Sequence, residues 1–305
     1  MPVDAFSPTA SLDAPSPDAD VTLLDAPIGD AGMPDAHVPT DGGIAGPCVL
    51  TAEFGEPTLV PGVSTTMFAE ATMRLSDDER IGYLWSTRLG GIDLARVTRT
   101  VDTGAFTYDP TFDELNTPSV EFEPTLSRDG LLLVFRSARG STGEDLYFAD
   151  RSVDTAPFTF RGPIESVNSA AADRQPFLSD DELLFISDRS GASRIYRAPR
   201  TGSTFGVPSE ITELAGTGAD QDPVLAPDGL TLYFASDRGL TDLDIFEATR
   251  PTTAAAFGSP RRLPTVNSTV TDGPSWVSRD QCRLYMSSAR AGTPDVYVAS
   301  IPTSF

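Results

Sequence analysis

The chain has 305 residues, with 44 acidic side chains against 22 basic ones, every base being arginine, and a net charge of -22. Nucleic-acid backbones and anionic membranes need clustered positive charge to release counterions, so this charge disfavours both and points to neutral or cationic partners. No stretch of about 18 consecutive apolar residues occurs, which excludes a membrane-spanning helix.

Residues 1–46 contain eight Asp, eight Ala, seven Pro, six Asp-Ala dipeptides and no arginine. Such a segment cannot bury enough apolar surface to offset the entropy of ordering it, and it reads as a disordered acidic tether ahead of a folded domain spanning 47–305. The start, MPVDAFSPTA, has neither a basic n-region nor an apolar core. Either the protein is cytoplasmic or its export leader is missing from this chain. The tether resembles the stalks of bacterial surface proteins, which favours an extracytoplasmic setting: periplasm, cell surface or secreted. Cys48 is not expected to carry a lipid itself, because GIAGPC follows a polar Gly/Asp stretch and not an apolar h-region.

From residue 47 onward one phrase recurs. SDDERIGYLWSTR, SRDGLLLVFRSAR, SDDELLFISDR, PDGLTLYFASDR and SRDQCRLYMSSAR close on Arg88, Arg139, Arg189, Arg238 and Arg290, at steps of 51, 50, 49 and 52 residues. A period that regular marks a repeat architecture. Each unit reads as four strands. An inner strand (70–76, 121–127, 173–179, 220–226, 272–278) ends in a turn whose Asp recurs as Asp78, Asp129, Asp181, Asp228 and Asp280, which is hairpin chemistry. A second strand follows with every second residue apolar, then a third (92–97, 144–150, 193–199, 243–249, 294–300). A weaker outer strand is announced by FGEP (54–57), FTYDP, FTFRGP, FGVP and FGSP, where proline suits an edge. The first outer strand precedes every inner strand, and the chain ends after the fifth third strand. The expected fold is all-β: a five-bladed β-propeller of four-stranded antiparallel blades, closed by the N-terminal strand near Phe54.

The phrase D-x-x-P-x-L-S-x-D-G-x-x-L-x-F-x-S-D-R…D-I-Y, best matched by residues 220–246, resembles the WD40-like PD40 repeats of TolB-like periplasmic propellers. The likeness covers about 250 residues, with five units where TolB has six and no separate N-terminal α/β domain. What it implies for function is docking of a protein partner, by analogy alone.

Three residues before the Pro position of each inner strand stands an acid: Glu70, Glu121, Asp173, Asp220 and Asp272. These should form a ring at one mouth of the channel, where the arginine column also ends, at acid-to-arginine spacings of 18, 18, 16, 18 and 18. Two readings stay open. The carboxylates bolt the blades through arginine forks, or they form a binding mouth for a cation or basic peptide. Blade one is the expected exception, since its inner strand lacks the proline. Asp93, Asp145, Asp244 and Asp295 recur at the start of the third strand, with Arg194 as the odd member, and read as loop-strand hydrogen bonding. Trp85 and Trp276 read as core before sugar-stacking platforms, and Asn267-Ser268-Thr269 matches a glycosylation sequon.

Catalytic signals are sparse. The single histidine, His37, lies in the tether, so no Ser-His-Asp triad or histidine metal site is expected in the folded part, and no metal or cofactor is expected. The two cysteines are too few for a structural zinc site. They lie so that Cys48, ahead of the closing strand, and Cys282, at the base of the fifth second strand, should meet at one blade end as a disulfide, the alternative being two buried thiols. The expected function is a non-catalytic, monomeric scaffold at the bacterial cell envelope that binds a protein, peptide or polymer. The alternative is a glycoside hydrolase-like propeller, which would need two differently tuned carboxyl groups roughly 5–9.5 Å apart.

Overall fold

The computed structural model describes residues 48–303 apart from 66, 102, 103, 141 and 142; the expected tether and His37 lie outside the described residues. Five antiparallel sheets follow one another as blades of a propeller. Blade one comprises Glu70–Leu75, Ile81–Ser86, Asp93–Thr98 and Thr107–Asp109. Blade two comprises Glu121–Leu126, Leu132–Ser137, Asp145–Asp150 and Thr159–Pro163. Blade three comprises Asp173–Leu178, Glu182–Ser187 and Arg194–Thr201, with a split outer edge, Thr204–Phe205 and Ser209–Glu210. Blade four comprises Asp220–Leu225, Thr231–Ser236, Asp244–Thr249 and Arg261–Arg262. Blade five has Asp272–Val277, Arg283–Ser288 and Asp295–Ser300, and its outer strand is the N-terminal Thr58–Leu59. Thr58 pairs with Val298 and Leu59 with Tyr297, which closes the ring.

The second strands depart from simple alternation. Leu232, Tyr233, Phe234 and Ala235 are all buried, as are Leu132, Leu133, Val134 and Phe135. A blade is packed on both faces by its neighbours, so both sides of its central strands must be apolar. The core is accordingly a series of seams: one joins blades five and one, one joins one and two, one joins two and three, and the largest runs through three, four and five.

The outer strands also shift from their expected places. In blades four and five the paired residues come after the F-G-x-P segment. The phenylalanines Phe54 and Phe257 are buried instead, and Gly55 and Gly258 donate their N–H to Ser300 O and Thr249 O. Proline has no N–H for the ladder, so pairing resumes beyond it.

Each inner strand is bulged. Thr72, Glu123, Gln175 and Asp222 adopt left-handed backbone, φ 49–55°, and the pairing register slips across each of them. In blade five that position is Pro274, whose ring forbids positive φ, and the slip moves to between Pro274 and Trp276.

Candidate functional site

All five expected acid–arginine pairs form, each within its own blade. Arg88 meets Glu70, Arg139 Glu121, Arg189 Asp173 and Arg290 Asp272 at 2.7–3.0 Å, and Arg238 meets Asp220. The carboxylates are at most 1% exposed. Each arginine also reaches the carbonyl of Val63, Leu115, Val167, Leu214 or Val266, while its backbone N–H is held by the serine two residues earlier. The guanidiniums lie over aromatic rings, as Arg238 does over Phe234 and Phe246. Such a knot fills the donor fork of the arginine and desolvates the acid. Blade one keeps the pair despite its missing proline, and burial still raises the Glu70 carboxyl above its usual range beside Arg88.

The second oxygen of four of the acids is held by the loop before the strand: Thr65 N–H for Glu70, Thr117 N–H for Glu121, Ser169 for Asp173 and Ser268 for Asp272. Before Asp220 the corresponding residue is Gly216, which has no hydroxyl. Arg194, the odd member of the third-strand column, approaches Asp220 at 3.7 Å in its place and donates to Gly216 O and Gly218 O. Its exceptional identity is thus a compensation.

An asparagine column went unread in the sequence. Asn116, Asn168 and Asn267 clamp both backbone groups of Leu94, Leu146 and Ile245. The sequon asparagine therefore has its amide occupied in the frame. The signal was present as N-S or N-T with the asparagine five residues before the inner-strand acid.

At the opposite, hairpin rim a second arginine column was also missed. Arg99, Arg151, Arg200 and Arg250 donate to the turn carbonyls of Glu79, Gly130, Ser179 and Gly229. In blade five the equivalent residue is Ile301, and there Cys48 and Cys282 form the expected disulfide, with Cα atoms 5.8 Å apart. The seam between blades five and one is sealed further by Glu79, which accepts from Tyr285 Oη at 2.6 Å and pairs with Arg99 and Arg283.

The axis carries a polar belt. Glu123 accepts from Gln175 N at 2.8 Å, and Gln175 accepts from Asp222 N at 3.2 Å. The next donor in this sequence would be residue 274, a proline, so Asp222 has no such partner. Desolvation and the Glu123 carboxylate push its pKa up to about 7. Arg74 crosses the axis from blade one to lie 5.0 Å from the Phe177 ring of blade three. It is fully buried with Nε and Nη1 unbonded, and burial pulls its pKa down to about 10.

Above Arg74, at the hairpin rim, the axis widens into a funnel of about 390 Å³ to which all five blades contribute. Its apolar lining includes Phe177, Trp276, Leu75, Leu126 and Leu225. Asp77, Asp180, Asp181, Glu182 and Asp228 face Arg128, Arg197 and Arg250, five carboxylates against three guanidiniums. Arg128 is shared between Asp180 at 3.0 Å and Asp77 at 3.5 Å. Trp276 stacks edge-on against Tyr285 and is half-buried, so it serves core and funnel alike. Trp85 packs on Phe122. The ring acids, by contrast, line none of the described cavities. Among the described residues no group of three or more metal-ligating side chains converges.

These features define a five-bladed β-propeller with one axial funnel. No protein-family model and no curated protein matches the chain. Among solved structures it is similar to a thermostable family-43 glycoside hydrolase, with a TM-score of 0.52 and 13% identity over 80% of this chain and 91% of that one. A glycosyl hydrolase from Bacteroides ovatus gives 0.52 and 12%, covering 83% and 97%. TolB from Acinetobacter baumannii gives 0.46 and 17% over 77% of this chain, which spans only 55% of the TolB chain. At such identities the likeness is one of fold alone.

Proposed function

We propose that the chain is a non-catalytic extracytoplasmic scaffold that receives part of a peptide or polymer partner in the hairpin-side funnel. The observation that carries this reading is the division of charge. The acids that recur in every blade are consumed by arginine knots, whereas the funnel keeps a carboxylate surplus around aromatic and aliphatic walls. A neutral or cationic guest with apolar groups fits that surface. The Cys48–Cys282 disulfide supports an oxidising compartment. The test is capture from envelope extract by the full chain and by its Asp77→Arg/Asp180→Arg variant. A partner retained by the first and lost by the second supports the funnel; equal recovery moves binding elsewhere on the surface.

A second reading, a carbohydrate-active enzyme, is favoured by Glu182 alone. This funnel carboxyl is raised above its usual range, first by burial, as a general acid requires. Hydrolysis of aryl glycosides that vanishes in Glu182→Gln would establish it over the scaffold.

A further inference from the structure

The hairpin of blade three is two residues shorter than the other four. Ser179 N–H bonds Glu182 O across two residues, whereas Ser127 N–H bonds Leu132 O across four. This shortening accounts for the single acid-to-arginine spacing of 16. The funnel also reaches outward here, with Glu182 and Arg197 of blade three and Arg250 and Thr253 of blade four among its lining residues. Leu184 pairs with Arg197 and stands two residues from Glu182, so Glu182 and Arg197 are diagonal neighbours on the sheet face turned to blade four. The two influence each other electrostatically, yet among the described residues neither side chain has a hydrogen-bond or close ion-pair partner. Arg250 adds positive potential, although its Nε is engaged by Gly229 O.

Building on the funnel reading, we propose that this side cleft receives the C-terminal carboxylate of a peptide whose other residues are neutral or basic. The guanidinium fork of Arg197 offers a planar, paired set of donors matched to a carboxylate. Glu182 beside it accepts from the final peptide N–H groups. Phe177 and Trp276 take the terminal side chain, and Asp77, Asp180 and Asp228 at the rim attract basic residues upstream. An internal acidic residue would meet those same aspartates and be rejected. A volume of about 390 Å³ lies near the lower end for ligand sites, which suits a chain end and not a folded surface.

The experiment uses the full chain and one hexapeptide library prepared twice, with free C-terminal carboxylates and with C-terminal amides. Free acids should be retained about tenfold better than amides, and the preference should vanish in Arg197→Gln and return in part in Arg197→Lys. Unchanged melting of both variants confirms that they fold. If acids and amides bind alike, Arg197→Gln changes nothing and Asp77→Arg/Asp180→Arg abolishes binding, the carboxylate assignment falls while the funnel reading stands. If neither library is retained, the carboxylate assignment falls together with the peptide form of the funnel reading, and the polymer form is decided by the envelope-capture test.

Discussion

The two ends of the propeller are made from the same five repeats, yet one is chemically closed and the other left open. At the acid-ring end every blade repeats one knot of carboxylate, arginine, serine and loop carbonyl, and where a hydroxyl is missing, at Gly216, Arg194 compensates. At the hairpin end the frame is also repeated, through Arg99, Arg151, Arg200 and Arg250, but residues around the axis differ from blade to blade. Regularity marks the groups that hold each blade, and the loop that enters it, together. On the proposed reading the guest is asymmetric, and its recognition would come from the departures: the short blade-three hairpin, Trp276, Glu182 and Arg197.

The largest test of this contrast falls on the one place where the hairpin frame is covalent. Cys282→Ser should lower unfolding stability by about 4–5 kcal/mol, the upper value for so long a loop, read from urea denaturation. A shift below about 1 kcal/mol would mean that the ladder at Ile301 and the Glu79 cluster seal the ring unaided.

Next comes the knot itself. Arg238→Ala leaves Asp220 buried with the Ser236 hydroxyl and the more distant Arg194 and should cost about 1–3 kcal/mol in the same assay. If Arg238→Ala melted like wild type while Asp220→Ala abolished binding of a basic peptide, the ring would be a site and the contrast between the two ends would collapse.

Asp222 sharpens the comparison along the axis. Its folded pKa, about 7, lies above its unfolded value, so the folded state binds the extra proton and this carboxyl costs stability increasingly as pH rises from about 4 to 7. Asp222→Asn stays neutral. Its melting temperature relative to wild type should climb through that window and level off above about pH 8. A difference that is flat with pH would show that the carboxyl is solvated or hydrogen-bonded in solution.

The smallest stability effect belongs to the funnel rim. Asp77→Arg/Asp180→Arg should shift unfolding by no more than about 0.5 kcal/mol, because Asp180 is exposed, Asp77 is half-buried and their shared partner Arg128 is itself in contact with solvent. A large loss would place the rim aspartates in the frame and weaken the division between knot and funnel.

Much of this was legible from the chain alone. The arginine steps fixed the blade number, the acid column found its partners, and the two cysteines pointed to one blade end, because repeat spacing and strand alternation are properties of sequence order. Strand faces were less legible. Alternation was expected for the second strands, but Leu232 to Ala235 are buried on both sides because neighbouring blades cover both faces. The outer strands were located by their Phe-Gly-x-Pro segments, and in blades four and five the pairing begins only after them.

What only the tertiary structure decided is which residues from different blades meet. Arg74 reads as an ordinary strand residue until the ring brings Phe177, two blades away, beneath its guanidinium. Pro274 is one strand proline among several until the ring shows that its missing N–H denies Asp222 the backbone donor that Glu123 and Gln175 receive from the next blade. Glu182 and Arg197 are 15 positions apart and become a pair only through strand register and the shortened turn. A repeat reports the contacts that every blade makes. The axis is where the five copies differ, and closing the ring brings those differences within reach of one another.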